Sequence, residues 1–281
     1  MLKKSVFGMV LVAGLVGPGQ AADNPLQQAI EGDHRGQEAT QRDQYRHPYR
    51  TLRFLGIESD MTVIELWPGG GWYTDILAPY LKEEGEFVAA HFNPDSEHEY
   101  GDYFRRSLEQ YKKKIDGKSD LYGDFSIVAF EPGATDSLGE PGSADRVLTF
   151  RNAHNWLKME AFGDALEQAH EVLKPGGVFG VIDHRADPRE PIDPRSVNGY
   201  VNERWIIGRI EAAGFQLMAR SQVNANPADH RSHPEGVWTL PPTLRHCRSM
   251  DEGEERDACM DRYKPIGESD RFTLRFVKVE R

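Results

Sequence analysis

A glycine-rich turn in the first third of the chain has the residue types of a ligand-binding site. Residues 63–74 read VIELWPGGGWYT, an apolar run that leads into three consecutive glycines. Glycine allows the backbone to turn sharply and lets a ligand approach the main chain closely. Glu65 lies near the end of the apolar run, where open α/β sheets bind their ligands. We therefore expect Glu65, Gly69, Gly71 and Tyr73 to contact a bound cofactor.

Three interpretations fit a strand, a glycine turn and a helix. A dinucleotide site requires G-x-G-x-x-G, in which the third glycine permits close helix–strand packing, but here Thr74 occupies that position. An S-adenosylmethionine site requires an acidic residue at the strand end, a glycine loop and apolar walls, which Glu65, Gly69 and Gly71 begin to supply. The third interpretation is a turn whose glycines serve only the backbone geometry.

Two histidines farther along the chain are candidates for acid–base chemistry. His154 follows the predicted strand 146–150, and His184 follows the predicted strand 177–182. Histidine titrates near neutral pH and can take a proton from an O–H or N–H group. Each ring has an equally simple structural alternative, which is a hydrogen bond to a backbone carbonyl.

Other residue patterns give less support to a site. Residues 229–233 read DHRSH, and with His246 they suggest metal ligands, but their spacing matches no strong metal motif. We expect a solvated loop and no metal site there. The chain also has no G-x-S-x-G nucleophile elbow, so a hydrolase triad has no support.

Alternating apolar runs and amphipathic segments predict the scaffold that positions these residues. Strands that alternate with helices indicate a doubly wound, mostly parallel sheet of the α/β class. The last two predicted strands have no helix between them, which indicates an antiparallel last strand in a seven-stranded sheet. The predicted strands are 62–66, 86–92, 125–130, 146–150, 177–182, 215–223 and 272–279, and the predicted helices are 73–81, 102–115, 161–173 and 201–213.

Composition limits the class of protein and of partner. The 281 residues are 38% hydrophobic and 28% charged, which is typical of a globular α/β protein. The net charge of −11 would repel phosphate backbones, so we expect a small-molecule substrate rather than a nucleic acid. We divide the chain into a signal peptide (1–21), an N-terminal helical arm (22–50) and one domain (51–281) with a long insertion at 224–271.

The N-terminus has the pattern of a secretory signal peptide. Lys3 and Lys4 precede an apolar run at 6–16, and small residues end at Ala21, where we expect cleavage. The run is too short for a stable membrane anchor, so the mature chain should carry no integral membrane segment. We expect a periplasmic or secreted protein, in which Cys247 and Cys259 can form a disulfide.

The glycine turn and a later segment together resemble class I S-adenosylmethionine-dependent methyltransferases. Residues 171–183 read EVLKPGGVFGVID and are similar to the helix–turn–strand L-K-P-G-G feature of that family. The resemblance covers most of residues 45–281. It is closest to a group of exported, predicted methyltransferases of unassigned substrate. That group shares E-x-W-P-G-G-G-W-Y-T, R-N-x-H-x-W, D-H-R and N-P-A-D with this chain.

The resemblance implies roles for individual residues. Arg151, Asn152 and His154 match positions that face the methyl donor and acceptor, and Asp183 and His184 follow the next strand at the same crevice. His91 falls where the family has an acid that holds the ribose hydroxyls, and the neighbouring Asn93 could replace that acid. Residues that the resemblance assigns more broadly are Glu65, Gly69 and Gly71 at the cofactor-binding turn, with Tyr200 and Asn226 near the acceptor.

The implied activity is methyl transfer from S-adenosylmethionine to an unidentified small molecule, with His154 or His184 as the base. One alternative stays open, because Trp67 replaces the first glycine of the family pattern and His91 replaces its acid. It is an exported, catalytically degenerate protein of this fold that binds a small ligand. A dehydrogenase is a weaker alternative, which Thr74 opposes.

Overall fold

The computed structural model of the chain describes residues 24–135 and 137–280. The predicted signal peptide, residues 1–21, lies outside the described residues. No helix in the part of the chain that is described is long and apolar enough to cross a membrane.

Within the described residues, seven strands form one twisted sheet in the order β3-β2-β1-β4-β5-β7-β6. Neighbours from β3 to β5 pair in parallel, and β7 runs antiparallel to both β5 and β6. The predicted doubly wound, seven-stranded α/β sheet with an antiparallel last strand is therefore confirmed. The strands are β1 (Thr62–Leu66), β2 (Glu86–Phe92), β3 (Ser126–Phe130), β4 (Ala144–Phe150), β5 (Leu173–His184), β6 (Phe215–Ser221) and β7 (Arg271–Lys278).

Helices cover both faces of the sheet, because successive residues of a strand point to opposite faces and both sets are apolar. On β1, Val63 packs into one apolar core and Ile64 into the other. The helices are α1 (Pro25–Glu31), α2 (Gln37–Thr40), α3 (Asp43–Arg46), α4 (Pro48–Leu55), α5 (Thr74–Leu81), α6 (Gly101–Ile115), α7 (Ser119–Tyr122), α8 (Ala153–Lys158), α9 (Phe162–Val172), α10 (Glu203–Ala212), α11 (Arg245–Arg248) and α12 (Glu254–Tyr263).

The order of the strands reverses between β1 and β4. β1 pairs with β2 on one side and with β4 on the other. After β1 the chain therefore continues to one side of the sheet, and after β4 it continues to the other side. A crevice forms at the carboxyl ends of strands at such a point, and ligands bind there in open α/β sheets. The residues directly after both strands, Trp67 and Arg151, have positive φ angles of 49° and 64°.

The long connection between β6 and β7 is an ordered segment with its own small core. Leu240, Leu244, Cys247 and Tyr263 pack together in it. A disulfide joins Cys247 to Cys259, which confirms the predicted pairing. The connection also contains a short 3-10 helix, Gly236–Thr239, which extends toward the carboxyl ends of the strands.

Candidate functional site

A cavity of about 910 Å³ opens at the carboxyl ends of β1 and β4. Its walls come from the glycine turn, from the segment around α2 and α3, and from the β6–β7 connection. Six of the residues predicted for the site line this cavity: Glu65, Gly69, Tyr73, Asn152, His154 and His184. Four others do not belong to its lining: Gly71, His91, Asn93 and Asp183.

The glycine turn leaves open space where side chains would be. Gly69 has a φ of +58°, and a Cβ built on Gly69 or Gly70 would meet no atom within 4 Å. Gly71 differs, because its Cβ would lie 2.9 Å from the Tyr111 ring. The first two glycines therefore keep the cavity open, whereas Gly71 permits the turn to pack against α6.

Glu65 is a buried carboxyl group that lines the cavity. It accepts a hydrogen bond from the Thr74 hydroxyl at 3.1 Å, and that hydroxyl lies 3.0 Å from the hydroxyl of Tyr111. Burial raises the pKa of Glu65 to about 8, so the group is largely protonated at neutral pH. A ligand cation beside it would favour the ionised form.

Tyr73 contributes an aromatic wall rather than a titrating group. Its ring stacks on Phe150 with centroids 3.6 Å apart, and burial raises the pKa of its hydroxyl to about 12. Asn152 has a different task. Its amide donates to the carbonyl of Leu66 at 2.9 Å, which ties the end of β4 to the end of β1.

Trp67 occupies the position of the first glycine in the family pattern and fills space with its indole ring. The ring packs against Phe92 and Trp156, with centroids 4.7 and 5.4 Å away. Its Nε1 donates to the Phe130 carbonyl at 2.8 Å. A positive φ is unfavourable for a bulky residue, so these contacts must hold the strained backbone in place.

His91 and Asn93 are engaged by the protein itself. The buried His91 donates from Nε2 to the Gly69 carbonyl at 3.0 Å and accepts from the Phe92 N–H at Nδ1. Burial lowers the pKa of His91 to about 4, so the ring is neutral. Asn93 donates to Glu131 at 3.0 Å. Their predicted contact with ribose stays a prediction, and neither residue lines the cavity here.

Asp183 and His154 form an oriented acid–base pair. The Nδ1 of His154 lies 2.9 Å from Asp183 Oδ1, and the His154 backbone N–H donates to Oδ2 at 2.9 Å. Burial raises the pKa of Asp183, but interaction with His154 outweighs it and lowers the pKa overall. The ionised carboxylate holds the proton on Nδ1 and leaves the lone pair on Nε2.

His184 lies beside this pair, with its ring centroid 5.0 Å from that of His154. Its Nδ1 is hydrogen-bonded to the Ser269 hydroxyl. Its Nε2 is 3.8 Å from Asp183 Oδ1, which is too long for a hydrogen bond. Burial lowers the pKa of His184 well below its usual value, so this ring is neutral. The cavity therefore contains two imidazoles with different partners.

The ligand atoms of His154, Asp183 and His184 lie within 4.8 Å of one another, a spacing that could hold a metal ion. Both oxygens of Asp183 already accept N–H groups, including the backbone N–H of His184 at 2.8 Å. A metal ion bound at Nδ1 of His154 would have to displace the proton of that atom. The hydrogen bonds therefore describe an oriented imidazole better than a ready set of ligands.

Tyr200 and Asn226 lie away from the cavity lining, although the family likeness suggests contact with the acceptor. The Tyr200 hydroxyl donates to Asp229 at 2.9 Å, and the Asn226 amide donates to the carbonyls of Ile266 and Glu268. These bonds hold the β6–β7 connection against the sheet. Both residues stabilise the cavity wall from behind.

Sequence reasoning missed several residues of the cavity wall. Trp238, from the β6–β7 connection, lies 5.9 Å from the His154 ring. Others are Arg42, Arg46, Glu268 and Ser269. They come from two distant parts of the chain that carry no motif, whereas Arg151, which also lines the cavity, begins the R-N-x-H-x-W motif.

Solved structures of similar fold include methyltransferases. An S-adenosylmethionine-dependent methyltransferase from Aquifex aeolicus is 16% identical with a TM-score of 0.53, over 91% of this chain and 99% of that one. An arsenic(III) S-adenosylmethionine methyltransferase from Chlamydomonas reinhardtii is 15% identical with a TM-score of 0.51, over 92% and 74%. The [4+2]-cyclase SpnF is 15% identical with a TM-score of 0.56, over 91% and 92%.

No protein-family model matches the sequence, and no curated protein matches it either. The likeness to solved structures is therefore one of fold. The chain has the Rossmann-like fold of class I S-adenosylmethionine-dependent methyltransferases.

Proposed function

We propose that the protein is an S-adenosylmethionine-dependent methyltransferase that acts on a small molecule with an O–H or N–H group. The observation that carries this proposal is the shared cavity. The open glycine turn and the His154 imidazole, which Asp183 orients, face the same space of about 910 Å³. A donor and an acceptor bound together there would react without having to meet in solution.

The residues of the cavity suit the cofactor in two ways. Gly69 and Gly70 leave room for close approach of a ligand, and Glu65 is available to an ammonium group. The wall beyond the turn is aromatic and suits a purine ring, with contributions from Phe92, Tyr100, Tyr103 and Phe104. When bound, S-adenosylmethionine supplies a methyl group on a positively charged sulfur.

His154 performs the proton transfer in this proposal. Its Nε2 accepts the proton of the acceptor while Asp183 stabilises the resulting imidazolium. His184 is hydrogen-bonded to Ser269 and contributes a second neutral imidazole beside the acceptor. Asp183 and His154 are both buried, which strengthens the attraction between the carboxylate and the charged ring.

Calorimetric titration with S-adenosylmethionine and S-adenosylhomocysteine tests the binding step. We expect micromolar affinity for the wild-type protein and a loss of at least about tenfold in Gly70→Leu, because the leucine would occupy the open space. Gly208→Leu is the matched control, since Gly208 also has open space but lies on the exposed side of α10. Equal binding by both variants would refute this position of the cofactor.

A folded wild-type protein that binds neither compound would contradict the proposed activity. That result would favour the alternative function, a ligand-binding protein of this fold without catalysis. The indole of Trp67 and the internal hydrogen bonds of His91 support that alternative, because both change the half of the site that would hold the nucleoside. The fold itself does not separate the two functions, since one fold serves several reactions.

We also infer that the protein is exported. The signal-like residues 1–21 and the disulfide between Cys247 and Cys259 support this proposal. Mass spectrometry of protein expressed with its full N-terminus should find a chain that begins at residue 22 or 23 in the exported fraction. A full-length chain confined to the cytoplasm would contradict it.

A further inference from the structure

Arginine side chains surround one buried carboxylate in the cavity wall. Glu268 accepts hydrogen bonds from the Nε atoms of Arg42 and Arg46 at 2.7 and 3.0 Å. Arg271 donates to it at 3.0 Å, and Arg151 interacts with it electrostatically. Burial raises the pKa of Glu268, but the arginines outweigh this and lower it far below the usual value, so the group is ionised.

Several of these donors have no hydrogen-bond partner among the described residues. The Nη2 atoms of Arg42 and Arg46 are buried and make no hydrogen bond to any described residue. No hydrogen bond among the described residues uses the Arg151 guanidinium. Arg271, in contrast, also donates to the carbonyls of Tyr45 and Ser269, so its role is structural. A buried donor without a partner lowers stability. Arg42, Arg46 and Arg151 all line the cavity, where a ligand could accept from them.

The charges at this wall do not balance. Four guanidinium groups face one carboxylate, which leaves an excess of three positive charges, because arginine stays protonated in proteins. The nearby Glu65 and Tyr73 are largely neutral, since burial raises their pKa values to about 8 and about 12. The ring of Trp72, 4.5 Å from the Arg46 guanidinium, helps to hold that arginine in place.

The one carboxylate of the methyl donor could balance at most one of the three excess positive charges. S-Adenosylmethionine has one carboxylate against one ammonium and one sulfonium, so its net charge is positive. An anionic second ligand would provide the remaining counter-charge. The position of the cluster agrees with this, because Glu268 is joined in sequence to Ser269, which bonds His184. Arg151 likewise stands three residues before His154.

We propose that Arg42, Arg46 and Arg151 bind an acidic group of the methyl acceptor, so that the acceptor is an organic acid with a carboxylate or phosphate. The identification of the bound acid as the methyl acceptor rests on the proposed function, but the anion site itself does not depend on it. Arginine suits the role because its planar fork pairs with either oxyanion through two parallel hydrogen bonds. The bound acid would lie beside the two imidazoles of the cavity.

Calorimetric titration with small anions, in the absence of any methyl donor, tests the site. The probes are succinate and inorganic phosphate, with succinamide as the uncharged counterpart of succinate. We expect the wild-type protein to bind at least one anion and not succinamide, and the preferred anion indicates which acid the acceptor carries. Arg42→Gln and Arg151→Gln should each weaken the binding about tenfold or more.

Arg220→Gln is the matched control, because Arg220 is exposed on the edge strand β6 and does not line the cavity. Thermal unfolding of each variant checks that it folds. Anion binding that is absent, or equal in all variants, would overturn the inference. So would variants that bind S-adenosylhomocysteine more weakly but anions normally, because the arginines would then serve the donor.

The two proposals fail in different ways. If the protein binds anions through Arg42 and Arg151 but binds no S-adenosylmethionine, the anion site stands and the proposed methyltransferase activity is refuted. If the protein binds S-adenosylmethionine but shows no arginine-dependent anion binding, the proposed function stands and the inference that the acceptor is an organic acid is refuted.

Discussion

Asp183 holds His154 at two points, through the imidazole Nδ1 and through the backbone N–H, each at 2.9 Å. The two residues are 29 positions apart in the sequence: Asp183 lies in β5, and His154 comes shortly after the neighbouring parallel strand β4. One bond sets which ring nitrogen carries the proton, and the other fixes the start of α8. The carboxylate therefore controls both the chemistry and the position of the imidazole.

Replacement of Asp183 by Asn should abolish most of the proton transfer. The amide cannot stabilise a charged imidazolium, so the methyl-transfer rate should fall by about 10²- to 10⁴-fold. Binding of S-adenosylhomocysteine should change little. The nitrogen NMR shifts of His154 report the lost preference for the Nδ1–H tautomer independently of any acceptor. The exposed Asp251→Asn change is the control, and an unaltered His154 signal in Asp183→Asn would contradict the assigned pair.

The buried carboxyl of Glu65 should make stability depend on pH. Its pKa of about 8 lies above the ordinary 4.5, so the folded state keeps a proton that the unfolded chain releases. Stability from this group is full below about pH 4.5 and is lost as the pH rises toward 8. Glu65→Gln removes the effect, and its unfolding temperature should fall less between pH 5 and 8 than that of the wild type. The unfolding temperature of the exposed Glu109→Gln variant should depend on pH as that of the wild type does. If the Glu65→Gln variant shows the same dependence as well, the Glu65 carboxyl is ionised in the folded state.

Two neighbouring glycines should respond differently to the same substitution. Gly71→Ala should lower the free energy of unfolding by about 1–3 kcal/mol, because its φ is +72° and its Cβ would lie 2.9 Å from Tyr111. Gly70→Ala should leave stability almost unchanged, since nothing lies within 4 Å of its Cβ. Urea unfolding of the two variants measures the difference, and equal losses would show that the turn packs in another way.

The indole of Trp67 should stabilise the fold while narrowing the cavity. Trp67→Gly removes the ring and its bond to the Phe130 carbonyl, which should cost about 3–5 kcal/mol, less about 1–2 kcal/mol for relief of the positive φ. The wider space should increase affinity for S-adenosylhomocysteine. Trp67→Phe keeps the strain and most of the bulk, so its affinity should stay near that of the wild type. Weaker binding by Trp67→Gly would mean that the indole contacts the cofactor.

Loss of the disulfide should loosen one wall of the cavity. Cys247 and Cys259 close a loop with a sequence separation of 12, for which the loop-entropy estimate is about 3 kcal/mol. The Cys247→Ser/Cys259→Ser protein should therefore unfold at a lower temperature and bind cavity ligands more weakly. Reductant should lower the unfolding temperature of the wild type and have no effect on the double variant. No difference between the two proteins would show that the wall is held without the disulfide.

The alternation of strands and helices was readable from the sequence because it depends on local patterns. Apolar spacing distinguishes a strand from a helix over a few residues, and glycines mark the ends of both. The predicted β2, 86–92, coincides with the observed strand, and the other strands agree within a few residues. The position of His154 and His184 at the crevice also follows from sequence, because His154 comes shortly after the end of β4 and His184 ends the neighbouring parallel strand β5.

The sequence by itself thus determined the class of fold, the glycine turn, the disulfide and the two imidazoles. Only the tertiary structure decided that His91 bonds the Gly69 carbonyl and that Asp183 orients His154 from behind the cavity. It also brought the arginine cluster together, in which Arg42 donates a hydrogen bond to Glu268, 226 positions away in the sequence. Side-chain partners of this kind depend on which distant segments pack together, and local spacing carries no record of that packing.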